Sequence, residues 1–158
     1  MPTTRLKAAE PSARYLAHAG PVLVDSGPLI ALFNGSDRWH APVLAWLKTN
    51  QAAALISTWP VATEVCALLA RRVHNDCALD FLRWAQRGGI VLEGAVEGSI
   101  TEVLRVSERF ADLPFDLADA SIAEAAMRLK LRHVLSIDAD FEVYRDRAGR
   151  PLVNLLHA

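Results

Sequence analysis

From residue 21 onward, short apolar runs alternate with longer stretches in which apolar residues recur every three or four positions. The short runs are Val22-Leu23-Val24 ending at Asp25, Ala54-Leu55-Ile56 ending at Ser57-Thr58, Ile90-Val91-Leu92 after Gly88-Gly89, Val134-Leu135-Ser136-Ile137 ending at Asp138, and Leu152-Val153 near the end. Each is too short for a helix and lacks strict alternation, the pattern of strands buried on both faces. The stretches between them predict helices over 39–48, 60–73, 78–86, 99–110 and 117–130. Pro60 suits a first helical turn, Asn75-Asp76 can cap the third helix, and Ser99-Ile100-Thr101-Glu102 has the form of a capping box. Such alternation implies an α/β fold, a parallel sheet covered by helices.

Length and composition fit one domain of this kind. The chain has 158 residues, 52% hydrophobic and 22% charged, enough apolar surface for a packed core. Residues 1–20 read as a leader or loosely ordered arm, and residues 21–158 as the folded domain. A formal net charge of −1 argues against coating nucleic acid by bulk electrostatics. It leaves open a site that holds a phosphodiester through bound cations. Cys66 and Cys77 form no metal-ligand spacing and read as buried, reduced thiols of a cytosolic protein. No apolar run reaches transmembrane length.

The acids carry the candidate chemistry. In parallel sheets, ligands bind beyond the carboxyl ends of the strands. Asp25 follows the first strand and Asp138 the fourth, so both face that edge; Asp25 is equally well placed to cap the next helix. Glu64 shares a helix face with Pro60, Val61, Ala67 and Leu68, and a lone carboxylate on an apolar stripe is costly unless paired or coordinated. Asp119 stands among Phe115, Ile122 and Ala123, with Asp116 as the neighbouring cap. Glu124 and Arg128 read as a solvent-face pair. Four acids from four elements that converge at one edge repel unless cations intervene. Hard oxygen donors without His or Cys suit Mg²⁺ or Mn²⁺, and two such ions roughly 4 Å apart can stabilise both oxygens of an in-line phosphodiester displacement.

In Val22-Leu23-Val24-Asp25-Ser26-Gly27-Pro28-Leu29, Thr58-Trp59-Pro60-Val61-Ala62-Thr63-Glu64, Asp112 through Ser121, and Val134 through Phe141, the chain resembles PIN domains, in particular VapC-type ribonuclease toxins of type II toxin–antitoxin systems. The likeness runs from about residue 21 to residue 156. It implies a three-layer α/β/α fold with a parallel sheet of about five strands, and metal-dependent endoribonuclease activity on RNA. Carried over by motif, the Mg²⁺ or Mn²⁺ ligands and catalytic acids are Asp25, Glu64, Asp119 and Asp138. Asp116 is a plausible fifth, Ser26 a supporting hydroxyl, and Asp140 the alternative to Asp138. The resemblance also implies a homodimer and a small VapB-type antitoxin.

Arg38, His40, Arg71, Arg72 and Arg145 are candidate phosphate contacts, although exposed arginines are usually only solvated. The four tryptophans read as core or dimer surface rather than as stacking platforms. Phospho-aspartyl enzymes of the haloacid-dehalogenase type need a second Asp where Gly27 stands, and no phosphate-binding glycine loop occurs. The competing reading is a catalytically silent PIN-like module that only binds a partner or RNA.

Overall fold

The computed structural model describes residues 20–157. The expected leader lies outside these residues, apart from Gly20, whose carbonyl accepts from Ala54 N–H at 3.2 Å. The elements are β1 (Pro21–Val24), α1 (Ser26–Phe33), α2 (His40–Thr49), β2 (Ala54–Thr58), α3 (Trp59–Arg72), α4 (Asn75–Gln86), β3 (Val91–Glu93), α5 (Ser99–Arg109), α6 (Leu117–Arg128), β4 (His133–Leu135), a 3₁₀ turn (Ala139–Glu142) and β5 (Val153–Asn154).

The five strands form one sheet in the order β3-β2-β1-β4-β5, and every pair is parallel. Val22, Leu23 and Val24 of the central strand are almost wholly buried, as an apolar run sandwiched between helix layers requires. The chain leaves β1 toward β2 and β3, then returns to place β4 on the other flank of β1. That reversal opens a crevice at the carboxyl ends of β1 and β4, where α/β sheets bind ligands. Helix α3 packs against α1 and α4, and α5 against α6. Trp46, Phe81 and Phe141 are the largest fully buried side chains.

Helix α1 begins on the residues read as a tight strand-to-helix turn. Pro28 falls in its first turn, where no backbone N–H is needed. Gly27 lets that turn approach Ile137, since a Cβ there would stand 3.1 Å from the Ile137 side chain.

Several local expectations change. Helix α4 starts three residues early, because His74 Nδ1 accepts from Asp76 N–H (3.1 Å) and Asn75 becomes the first helical residue. The capping box at Ser99 does not form. Gly98, at φ 87°, is the cap; Ser99 Oγ accepts from Val96 N–H (2.9 Å) and donates to Glu124 (3.0 Å). Glu102 instead pairs with Arg105 and Arg147. Glu124 is not on a solvent face: it is 6% exposed and salt-bridged to Arg128, which also reaches Glu93 at 3.0 Å. Cys66 and Cys77 are free but only half-buried. Strand β4 ends at Leu135, two residues before the apolar run does.

Candidate active site

Asp25 follows β1 directly. Its N–H continues the ladder to Leu135 O at 3.0 Å, which fixes the residue at the crevice between β1 and β4. It occupies the cap position of α1 without making a side-chain cap bond, so capping does not account for this buried acid. Its side chain is 4% exposed. One carboxylate oxygen, Oδ2, accepts from Ser136 Oγ at 3.0 Å, while Oδ1 is buried with no hydrogen-bond partner. Burial pushes this carboxyl up to about 6; the negative charges of Glu64 and Asp116 push the same way, against the Ser26 N–H and the Ser136 hydroxyl.

Ser136 is the pivot of the β4 end. It is fully buried, and Asn154 of β5 grips its backbone from both sides: Ser136 N–H donates to Asn154 Oδ1 (3.2 Å), and Asn154 Nδ2 donates to Ser136 O (3.0 Å). Its hydroxyl also accepts from Asp138 N–H at 3.0 Å. One serine thus ties Asp25 to the turn that presents Asp138. Asp138 is exposed, and its Oδ1 accepts from Asp140 N–H (3.1 Å), capping the 3₁₀ turn. Burial raises the Asp140 carboxyl, helped by the adjacent Asp138.

Asp116 caps α6, its Oδ1 accepting from Asp119 N–H at 3.0 Å. Asp119 is half-buried one turn in. Burial, then the charges of Asp25, Asp116, Asp138 and Glu64, push its carboxyl up to about 8. Glu64, on α3, is half-buried. The helix starts are joined: Thr58, the α3 cap, lies 2.6 Å from Ser121 Oγ, and Ser121 in turn donates to Ala118 O (2.7 Å). Tyr144 is 7% exposed, and its phenol is pushed up to about 12 by burial and by Asp119, Asp116, Asp140 and Asp25.

The acids expected from four separate elements therefore lie within one another's electrostatic field at the carboxyl edge of the sheet. Ser26, first residue of α1, stands beside Asp25. Of the candidate phosphate contacts, His40 Nδ1 is engaged with Ala31 O (2.8 Å), Arg38 lies over the Trp39 ring, and Arg71 and Arg72 are exposed at the end of α3. Arg145 follows Tyr144. Trp46 is core, whereas Trp59 is 56% exposed. The reading of the sequence missed Ser136, Asn154, Tyr144 and the Thr58–Ser121 pair. A serine interrupting an apolar run was the one available sign of Ser136; Asn154 had none.

The donor set suits a hard divalent cation. It is all carboxylate, and the Asp25 Oδ1 orphan is a buried acceptor with nothing to accept from. Among the described residues, no three His, Cys, Asp or Glu side chains form a ready-made cage for an ion. Like charges with no counter-ion are expected to stand apart.

A five-stranded parallel sheet in this order, flanked by six helices, with acids gathered at its carboxyl edge, is an α/β/α fold of the PIN-like kind. No model of a known protein family matches the chain. Ribonuclease VapC26 of Mycobacterium tuberculosis is 28% identical over 117 residues, spanning 74% of this chain and 86% of that protein. The solved structure of VapC20 from Mycobacterium tuberculosis, a sarcin–ricin loop cleaving toxin, superposes with a TM-score of 0.71 at 18% identity, over 84% of this chain and 98% of that one. VapBC2 from Rickettsia felis, solved with a promoter DNA fragment, gives 0.59 at 10% identity, over 78% and 92%. The chain is thus similar in sequence to a VapC ribonuclease and shares the fold of VapC and VapBC structures. No helix among the described residues is long and apolar enough to cross a membrane.

Proposed function

We propose that the chain is a metal-dependent endoribonuclease, the toxin half of a toxin–antitoxin pair. The observation that carries this reading is the buried, half-partnered Asp25 carboxylate within the field of Glu64 and Asp116, with Asp119 in turn in the field of Asp25 and Asp138, in a chain similar in sequence to a ribonuclease. Asp25, Glu64, Asp119 and Asp138 would hold Mg²⁺ or Mn²⁺, with Asp116 and Asp140 at hand. Bound there, the ions supply positive charge for the attacking and leaving oxygens of a phosphodiester displacement. The chain's own part is to pre-position acceptors. Ser136 fixes one oxygen of Asp25 and leaves the other available. Asp116 caps the first turn of α6, in which Asp119 stands. Raised carboxyl pKa values mean that protons occupy part of the site at neutral pH when cations are absent.

A VapB-type antitoxin is the expected partner, by analogy with the VapBC2 complex, and the cytoplasm the expected compartment. A homodimer would cover the apolar surface around a cavity of about 300 Å³, where Ile100 (76%), Leu104 (52%), Phe115 (69%) and Leu117 (51%) stand exposed. The competing reading is a catalytically silent binding module. One experiment decides between them: incubation of total RNA with the parent and with Asp25→Asn, with and without Mn²⁺ or Mg²⁺, and mapping of fragment ends. Metal-dependent cleavage by the parent alone supports the nuclease. No cleavage by the parent under any metal overturns it.

A further inference from the structure

Divalent ions at the acidic edge would offset the carboxylates at the scissile phosphodiester only, so the flanking phosphates of an RNA strand need cations elsewhere on the molecule. They lie at the far end of α6. A cavity of about 440 Å³ opens between the C-terminal half of α6, helix α5 and the segment 144–152. Six basic side chains line it, Arg105, Lys130, Arg132, Arg145, Arg147 and Arg150, against one carboxylate, Asp146, in a chain of net charge −1. Glu102 neutralises part of Arg105 and Arg147, and Asp146 part of Arg150. Among the described residues, Lys130, Arg132 and Arg145 have no carboxylate partner.

Two details mark the cavity as more than a solvated basic patch. Arg132 Nη2 donates to Pro151 O at 3.2 Å, but its Nε is buried with no acceptor. Holding the guanidinium here despite its unsatisfied Nε fixes a positive charge at the cavity wall, and an anion in the cavity would offset that charge. Lys130 holds φ 56°, the one non-glycine residue in the left-handed region among those described. This position, just past the helix end, is where glycine is favoured, and backbone strain is retained where a side chain is needed. The cavity also approaches the acidic edge through one buried residue. Tyr144 lines it, and the same phenol lies in the field of Asp119, Asp116, Asp140 and Asp25. Helix α6, 12 residues and about 18 Å long, separates the acids at its start from Lys130 beyond its end. A strand bridges that distance, whereas a single nucleotide does not.

We propose that this basic cavity is an exosite that grips backbone phosphates of a single-stranded RNA flanking the phosphodiester held at the acidic edge. It rests on the nuclease reading of that edge. The contacts are to phosphates, so they add affinity without reading sequence.

The test is binding of a short fluorescein-labelled single-stranded oligoribonucleotide to the full chain in EDTA, followed by anisotropy. Lys130→Gly relieves the left-handed strain, so its melting temperature should hold or rise. Its RNA affinity should nevertheless fall roughly threefold to tenfold across unrelated sequences, with the slope of log affinity against log salt reduced by about 0.7. Arg132→Gln should weaken binding in the same way. In the metal-loaded cleavage assay, Lys130→Gly should raise KM and leave kcat unchanged. If both variants bind like the parent, the exosite is wrong, even if the parent cleaves RNA. If adenosine monophosphate competes as well as the oligomer, the cavity is a nucleotide pocket and the RNA exosite falls. If the parent never cleaves yet the EDTA binding shows these losses, the nuclease reading fails and the phosphate-binding cavity stands.

Discussion

Ser136 reaches from the end of β4 to donate its hydroxyl to Asp25 Oδ2 at 3.0 Å, joining residues 111 positions apart in the chain. This bond orients the carboxylate at the topological switch point of the sheet. Ser136→Ala should therefore lower RNA cleavage roughly tenfold or more by freeing Asp25, while costing about 1 kcal/mol in stability. Ser136→Thr, which keeps the hydroxyl, should recover part of the rate. Thermal melts beside cleavage kinetics separate positioning from unfolding; equal losses in both variants with parental kcat would count against the role.

Asp25→Asn removes a buried charge that the fold leaves half unpartnered. Cleavage should vanish, yet the metal-free protein should be as stable as the parent or up to about 2 kcal/mol more stable, because like-charge repulsion and desolvation are relieved. Denaturant titration in EDTA measures this. A large destabilisation would mean that Asp25 is held for structure.

The raised carboxyls make the metal-free protein sensitive to alkali. Asp25 and Asp119 titrate at about 6 and about 8 in the fold, against an ordinary value of 3.8. The folded state thus binds more protons than the unfolded chain between these limits, so stability falls as pH rises from about 4 to about 8. Melting in EDTA should show a lower transition at about pH 8.5 than at about pH 5.5. Millimolar Mn²⁺ should remove most of that slope, releasing protons as it binds.

Metal should also raise the melting temperature of the parent at neutral pH, since a ligand of the native state stabilises it by mass action; a concentration of 100 Kd corresponds to about 2.7 kcal/mol. Asp119→Asn should blunt the shift. An unchanged melting curve at millimolar metal would argue against the site.

Glu124 offers a contrast. It is buried and holds Ser99 and Arg128, far from any role in the acidic edge. Glu124→Ala should cost about 2–3 kcal/mol by leaving Arg128 with only Glu93 and the Gly94 carbonyl, while the residual folded protein keeps its metal-dependent cleavage rate. Loss of rate at full folding would place Glu124 in the machinery.

The periodicity of the chain by itself determined the α/β class and the five strands, because each strand carries a short apolar run, most fully buried in the central β1. It also singled out the candidate acids. Asp25 and Asp138 sit directly after apolar runs, and Glu64 and Asp119 stand on helix faces that are otherwise apolar; local spacing thus foreshadowed the burial of Asp25 and the half-burial of Glu64 and Asp119, whereas Asp138 is exposed. Local spacing misled at helix starts: Ser99 and Glu102 have the form of a capping box, but each found a better partner elsewhere, Glu124 for one and Arg105 with Arg147 for the other. Only the tertiary structure decided that Ser136 and Asn154 brace Asp25, that Tyr144 looks onto the acids, and that six basic residues gather at the far end of α6. Those groupings depend on strand order and on the return of the chain past β4, relations between distant residues that no periodicity within a single element encodes.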